Sequence, residues 1–147
     1  MSVSRRDPAD TVNADDFDGA KMVVFIGDRI VTLLRDDIET IPFPGFWDFP
    51  GGGRELGESP WDCVWRETRE ELSLDVPERA VVWSRQYFLH GTTRWFFVAK
   101  MAASAERQIA LGDEGQAWQL LWPDDYLAHP KAIPIFQTRL SDYLSDR

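Results

Sequence analysis

Runs of apolar and β-branched residues open the chain's readable structure. KMVVFIGDRIVTLLR gives two such runs, 21–26 and 29–35, broken by a Gly-Asp turn, which is the pattern of a hairpin. The next stretch, DDIETIPFPGFWDFPGGG, holds three prolines and four glycines and reads as a loop without regular structure. A helix then starts: Ser59 suits the N-cap, Pro60 the first helical position, and Asp62 the place where a capping box wants an acid. This helix is expected to run to about Leu72, with Trp61, Val64, Trp65, Thr68 and Leu72 inside an arc of roughly 100° that packs on a sheet. AVVWSRQYFLHGTTRWFFVAKM predicts two long strands around HGTT, with Trp95 and Phe97 alternating onto an inward face. A polar loop, SAERQIALGDEGQ, leads to a short strand near AWQLLW. The tail predicts a helix from about Pro134, with Phe136, Leu140, Tyr143 and Leu144 on one face. Residues 1–18 are polar and without a period; they are expected to form a flexible arm, leaving 19–147 as a single domain.

The helix after the loop carries a second pattern. In RETREEL, Glu67, Glu70 and Glu71 are related by three and four positions and face the same space. Each like-charge pair of that kind costs about 0.2–0.5 kcal/mol in an isolated helix. A compensating cation is therefore implied. Arg66, four residues before Glu70, supplies part of it, and a solvated, salt-bridged face is the plainer reading. The three glycines of WDFPGGG change the balance, because they stand one loop before the carboxylates and let main-chain carbonyls approach a ligand closely. Hard divalent cations such as Mg²⁺ take oxygen ligands and are held by one or a few carboxylates together with substrate phosphates. Three glutamates and a main-chain carbonyl suit that chemistry.

From Gly52 to Leu74 the sequence GGRELGESPWDCVWRETREELSL resembles the 23-residue signature of the Nudix hydrolases, GX5EX7REUXEEXGU with U a bulky aliphatic. Gly52, Glu58, Arg66, Glu67, Glu70, Glu71 and Leu74 all stand at the family's offsets. Two positions depart: Thr68 takes the first U slot, where its hydroxyl can bond a preceding carbonyl, and Ser73 replaces the glycine just past the helix, where a left-handed conformation costs about 1 kcal/mol or more. The resemblance implies an α/β/α sandwich with a mixed β-sheet between helices. It also implies that Glu67, Glu70 and Glu71 bind Mg²⁺ (or Mn²⁺) with the Gly51 or Gly52 carbonyl, and that Glu58 and Arg66 form a structural ion pair. A further acid from a distant loop is expected in GDEGQ, with Glu114 the first choice and Asp113 the alternative. The general base is then Glu67, or failing it Glu114.

Substrate contacts must lie outside this motif. Phe43, Phe46, Trp47 and Phe49 surround the glycines and could stack on a base, Trp47 foremost, although such residues are more often core. Arg35 and Arg94, at strand ends, could meet phosphate oxygens. Net charge is −9, which argues against polymeric nucleic acid and acidic membranes as partners. Cys63 is the single cysteine and His90 and His129 the two histidines, so no disulfide and no zinc spacing is expected within the chain. No apolar run approaches the roughly 20 residues of a membrane span, and a cytoplasmic protein is expected. The function implied is Mg²⁺-dependent cleavage of the pyrophosphate linkage of a nucleoside diphosphate derivative, with a nucleoside triphosphate cut to monophosphate and pyrophosphate as one form of it. The alternatives are a non-nucleotide diphosphate substrate and a non-catalytic sensing or protein-binding module. The family resemblance also allows a homodimer.

Overall fold

The structure is a computed structural model, which describes residues 16–147. The elements are β1 (Gly19–Ile26), β2 (Arg29–Leu34), β3 (Trp47–Asp48), β4 (Gly51–Gly53), α1 (Pro60–Leu72), β5 (Val81–Leu89), β6 (Thr92–Met101), β7 (Ala117–Leu121), α2 (Pro123–Ala128) and α3 (Pro134–Asp146). The strands form one mixed sheet in the order β3-β2-β1-β6-β5, with β4 added to β1 and β7 to β2. Only β1 and β6 run parallel; the other pairs are antiparallel. Period-two alternation in β1 divides the core. Met22, Val24 and Ile26 join Cys63, Val64 and Leu72 of α1 on one face, while Val23 and Phe25 join Tyr126, Leu140 and Tyr143 of α2 and α3 on the other. The sheet is thus enclosed between helices on both sides, as the α/β/α expectation requires.

One expectation needs correction. The proline- and glycine-rich stretch is not wholly irregular, since β3 and β4 lie within it. β4 pairs with β1 because glycines allow an approach that side chains would block: Gly51 has φ +137°, and a Cβ there would overlap the Ala20 carbonyl oxygen. In β6 Trp95 and Phe97 share an inward face as expected, and the residue between them is buried on the other face. Trp95 through Phe97 to Ala99 are buried without a break, Trp95, Phe97 and Ala99 in one core cluster and Phe96 and Val98 in the other, because β6 lies inside the sheet with both faces covered.

α1 is closed at both ends as its sequence predicts. Asp62 N donates to Ser59 Oγ at 3.1 Å, and Ser59 N donates to Asp62 Oδ2 at 3.3 Å. Inside the helix Thr68 Oγ1 donates to Val64 O at 2.7 Å, which satisfies the buried hydroxyl. Ser73 takes the left-handed conformation, φ +59°, and its Oγ donates to Ala110 O at 3.1 Å. Ala110 N and Gly112 N donate to Leu72 O and Glu71 O, each at 2.9 Å, so the loop carrying Asp113 and Glu114 is stitched to the end of α1.

Most of the expected arm, residues 1–15, lies outside the described residues. Phe17 belongs to the packed domain: it is buried in the first core cluster, and Asp18 exchanges two hydrogen bonds of 2.7 Å with Thr93. Among the described residues no helix is long and apolar enough to cross a membrane.

Candidate active site

Pairing of β4 with β1 sets a side-chain-free ribbon against one face of α1. Glu71 Oε1 accepts from Gly51 N at 2.8 Å. The Glu67 carboxylate occupies the space beside Gly52, where a Cβ would fall 2.7 Å from its Oε1. Two acids of one helical turn therefore address two successive glycines, and glycine is needed at the second so that the carboxylate can lie there. Lys21 Nζ donates to Gly51 O at 3.1 Å, and Cys63 Sγ contacts Gly52 O at 3.6 Å.

Arg66 gathers the acids. Its Nε and Nη2 meet Glu58 at 2.6 and 3.0 Å, its Nη1 bridges Glu67 and Glu70 at 2.9 and 2.8 Å, and Nη2 also donates to Gly53 O at 3.1 Å. The expected Glu58–Arg66 pair is present, and the guanidinium holds the Glu58 carboxyl below its ordinary range. The plainer reading of the glutamate helix is therefore partly correct: arginine does face two of the three acids. Glu71 is the exception.

Burial pushes the Glu71 carboxyl up from 4.5 to about 7, against the opposing pull of Lys21 and the Gly51 amide. A raised folded-state value means that the folded chain holds this proton more tightly than the unfolded chain. The corresponding stability is complete below pH 4.5 and is lost as pH rises through about 7. In the absence of divalent ions, the parent is expected to lose about 3 kcal/mol more than Glu71→Gln over this window. Urea unfolding of both chains at a series of pH values checks this, and parallel curves would refute it.

A cleft of about 310 Å³ opens beside the glycine strand, with Lys21, Arg35, Arg94 and Arg139 among apolar walls that include Phe43 and Phe136. Arg35 and Arg94, both singled out from sequence, line it. Arg35 is also tied down, with Nη1 on Asp48 Oδ2 at 3.0 Å and Nε on Pro42 O at 2.9 Å. A second hollow of about 160 Å³ is lined by Glu71 and Glu114 and shares Arg35 and Asp48 with the cleft. Glu114 therefore faces the same hollow as a helix carboxylate, which Asp113 does not. Trp47 does not line the cleft: it packs against the second core cluster, with its ring edge-on to His129 at 6.4 Å. Phe49 is fully buried, while Phe43 is 43% exposed at the cleft.

Three residues of this region have no signal in the sequence. Lys21 begins an apolar run, Asp48 sits in an apparent loop, and Arg139 interrupts an apolar helical stripe. Asp48 is nonetheless buried, and its Oδ2 joins Lys21 and Arg35, each at 3.0 Å.

The family model described as the NUDIX domain matches residues 17–141. The chain belongs to the Nudix family. Among curated relatives, an RNA pyrophosphohydrolase of Blochmanniella pennsylvanica is 33% identical over 75 residues, which is 51% of this chain and 44% of that protein. The chain thus spans less than half the length of that relative. Among solved structures, a MutT protein of Methanosarcina mazei Go1 superposes with a TM-score of 0.70 at 17% identity, covering 90% of this chain and 96% of that one. A C. elegans Ap4A hydrolase does so with 0.65 at 20%, covering 86% and 96%. These likenesses establish the fold. The hydrolases of this family use divalent metal ions.

The residues of this Nudix chain fit such an ion. The donors at the glycine strand are all hard oxygens, the space beside Gly52 holds a carboxylate, and the raised Glu71 carboxyl marks a buried acid short of positive charge. Among the described residues no three acid, histidine or cysteine side chains converge closely enough to hold an ion by themselves. Mg²⁺ has no need of one, since it keeps several waters and shares its shell with substrate phosphates.

Proposed function

We propose that this Nudix hydrolase uses Mg²⁺ to cleave the pyrophosphate linkage of a nucleoside diphosphate derivative, with a nucleoside triphosphate, cut to monophosphate and pyrophosphate, as the first candidate. The observation that carries this reading is the meeting of two opposite charge fields across bare main chain. On one side of β4 stand Glu67 and Glu71; on the other, Arg94 Nη1 and Gly52 O both press on Gly19, where a Cβ would fall 2.7 and 2.6 Å from them. A polyphosphate bound along the cleft brings its anionic oxygens to the cations and its linkage to the carboxylates.

In this reading Glu67, Glu70 and Glu71, with the Gly52 carbonyl and Glu114 from the stitched loop, hold the metal. When bound, the ion offsets phosphate charge and lowers the pKa of a water so that hydroxide is available near neutral pH. Glu67 takes the proton of the attacking water, with Glu114 as the second choice. Arg66 and Glu58 fix the rotamers of the helix acids. Lys21, Arg35 and Arg94 meet phosphate oxygens, as charge-assisted donors do. The exposed ring of Phe43 at the cleft supports a base as the group beyond the phosphates, over a non-nucleotide substrate. Buried Cys63, whose thiol burial pushes up to about 11, fits a reducing, cytoplasmic setting.

A second reading, removal of pyrophosphate from an RNA 5′ end, is favoured by the name of the B. pennsylvanica relative. The net charge of −9 opposes it through repulsion of the RNA backbone. A panel of nucleoside triphosphates, nucleoside diphosphate sugars, dinucleoside polyphosphates and 5′-triphosphorylated RNA, each with Mg²⁺, separates the two. Pyrophosphate release from a free nucleotide is expected. Turnover of the RNA alone would replace the first reading with the second, and turnover of none would overturn both.

A further inference from the structure

Arg139 points to a subsite that the catalytic reading does not use. It lies on the core side of α3 and is only 5% exposed, yet its Nε is buried without a hydrogen-bond partner. The guanidinium is held instead by rings, 4.4 Å from the centroid of Tyr87 and 5.8 Å from that of Phe136. Asp142, one helical turn on, engages others: it accepts from Tyr87 Oη at 2.8 Å and faces Arg85 at 3.6 Å. Ring faces offset only part of the cost of desolvating a guanidinium. Burial, reinforced by the charge of Arg94, moves Arg139 below the ordinary arginine range, even as Tyr87 and Asp142 oppose the shift.

Arg94, by contrast, is exposed to solvent. Both arginines line the cleft, and among the described residues neither has a carboxylate within ion-pair distance. In a chain with 25 acidic residues, two mutually repelling guanidinium groups in one apolar-walled cleft are short of an anion. Arg94 Nη1 also lies against Gly19, the first residue of β1, which pairs with Gly53 of the glycine strand, so the cationic wall runs from beside the site of the chemistry into the cleft. A planar fork of donors resting on rings is suited to phosphate oxygens, which it meets through paired hydrogen bonds.

We infer that Arg139, together with Arg94, forms an anion subsite for a phosphoryl group of the substrate other than the one attacked at the helix carboxylates. This rests on the proposed hydrolysis for the word substrate, and it narrows the class. The cleft selects molecules with a charged phosphoryl group on its side of the scissile linkage, such as nucleoside triphosphates or dinucleoside polyphosphates, over diphosphates whose second end is neutral.

The test uses the full chain with chelator and no divalent ion, so that binding is read without turnover. Inorganic pyrophosphate is titrated by calorimetry into the parent, Arg139→Met and Arg94→Gln, with uncharged adenosine as the comparison ligand. Loss of a charged hydrogen-bonding partner is expected to weaken pyrophosphate binding about tenfold or more in each variant, with adenosine unchanged. Methionine keeps the packing against Tyr87 and Phe136 and removes a bare buried charge, so the variant is expected to melt no lower than the parent. Should it fail to fold, Arg139→Gln, neutral but still able to hydrogen-bond, takes its place with the same expected loss. Pyrophosphate affinity within twofold of the parent in either folded variant overturns the subsite. A chain that binds pyrophosphate through these arginines but hydrolyses nothing overturns the catalytic reading and leaves the subsite in place.

Discussion

Glu70→Gln is expected to lower kcat/KM by about 10² to 10³, equivalent to about 3–4 kcal/mol of transition-state stabilisation, with hardly any loss of fold stability. The two expectations diverge because of where the carboxylate lies. Glu70 is 57% exposed, and its bond in the structure is the 2.8 Å pair with Arg66. An exposed pair four residues apart on a helix contributes about 0.3–0.5 kcal/mol, and Arg66 retains Glu58, Glu67 and the Gly53 carbonyl when it is lost. The amide is isosteric and neutral, so it also relieves repulsion from Glu67 and Glu71. A role confined to the salt bridge would leave the rate almost untouched. A ligand role would remove one anionic oxygen from the ion and weaken the ion's hold on the substrate's phosphates. Initial rates over a Mg²⁺ titration, with thermal melts of both chains, measure the two effects. Equal rates at saturating Mg²⁺ would remove Glu70 from the metal site.

Arg66→Met is expected to have the reverse profile at first sight: in metal-free conditions it loses about 3 kcal/mol of stability. The guanidinium is 19% exposed and lies within ion-pair distance of four carboxylates, Glu55, Glu58, Glu67 and Glu70, of which Glu58 and Glu67 are 14% and 19% exposed. Removing it leaves those acids facing one another in a half-buried space, and the penalty comes from the uncompensated charges as much as from the lost bonds. Activity falls as well, since the helix acids lose the group that fixes their rotamers. Divalent ions distinguish this from an ordinary loss of packing. Mg²⁺ is expected to recover more stability in Arg66→Met than in the parent, because it supplies positive charge where arginine stood. Urea unfolding with and without Mg²⁺ reads both quantities. A metal-free loss below about 1 kcal/mol would mean that water, not arginine, balances these acids.

What could be read from the sequence was local. The cap of α1, the hydroxyl bond of Thr68 and the left-handed Ser73 depend on residues within a few positions, and each is found as its neighbours predict. The acidic turn, too, lies within one helix. What could not be read depends on chain-distant partners. Asp48 gains its role from Lys21, 27 residues earlier, and from Arg35, 13 earlier. Trp47 and Asp48 are neighbours in sequence, but successive strand residues point to opposite faces, so the acid turns to the cleft and the indole to the core. Arg139 is polar by type and buried by position, a combination that no periodicity analysis anticipates. The pairing of β4 was hidden for the opposite reason: three glycines carry no side-chain pattern, and only the approach of β1 gives them a strand.

That bare strand has a consequence for how such an enzyme can change. Three of the acids that would perform hydrolysis stand together on one turn of α1, whereas the cations and rings of the cleft are supplied by β1, β6, α3 and the segment after β2. No side chain of β4 couples the two groups. Exchange of residues on those outlying segments would alter what the cleft accepts while leaving the acids of α1 in place.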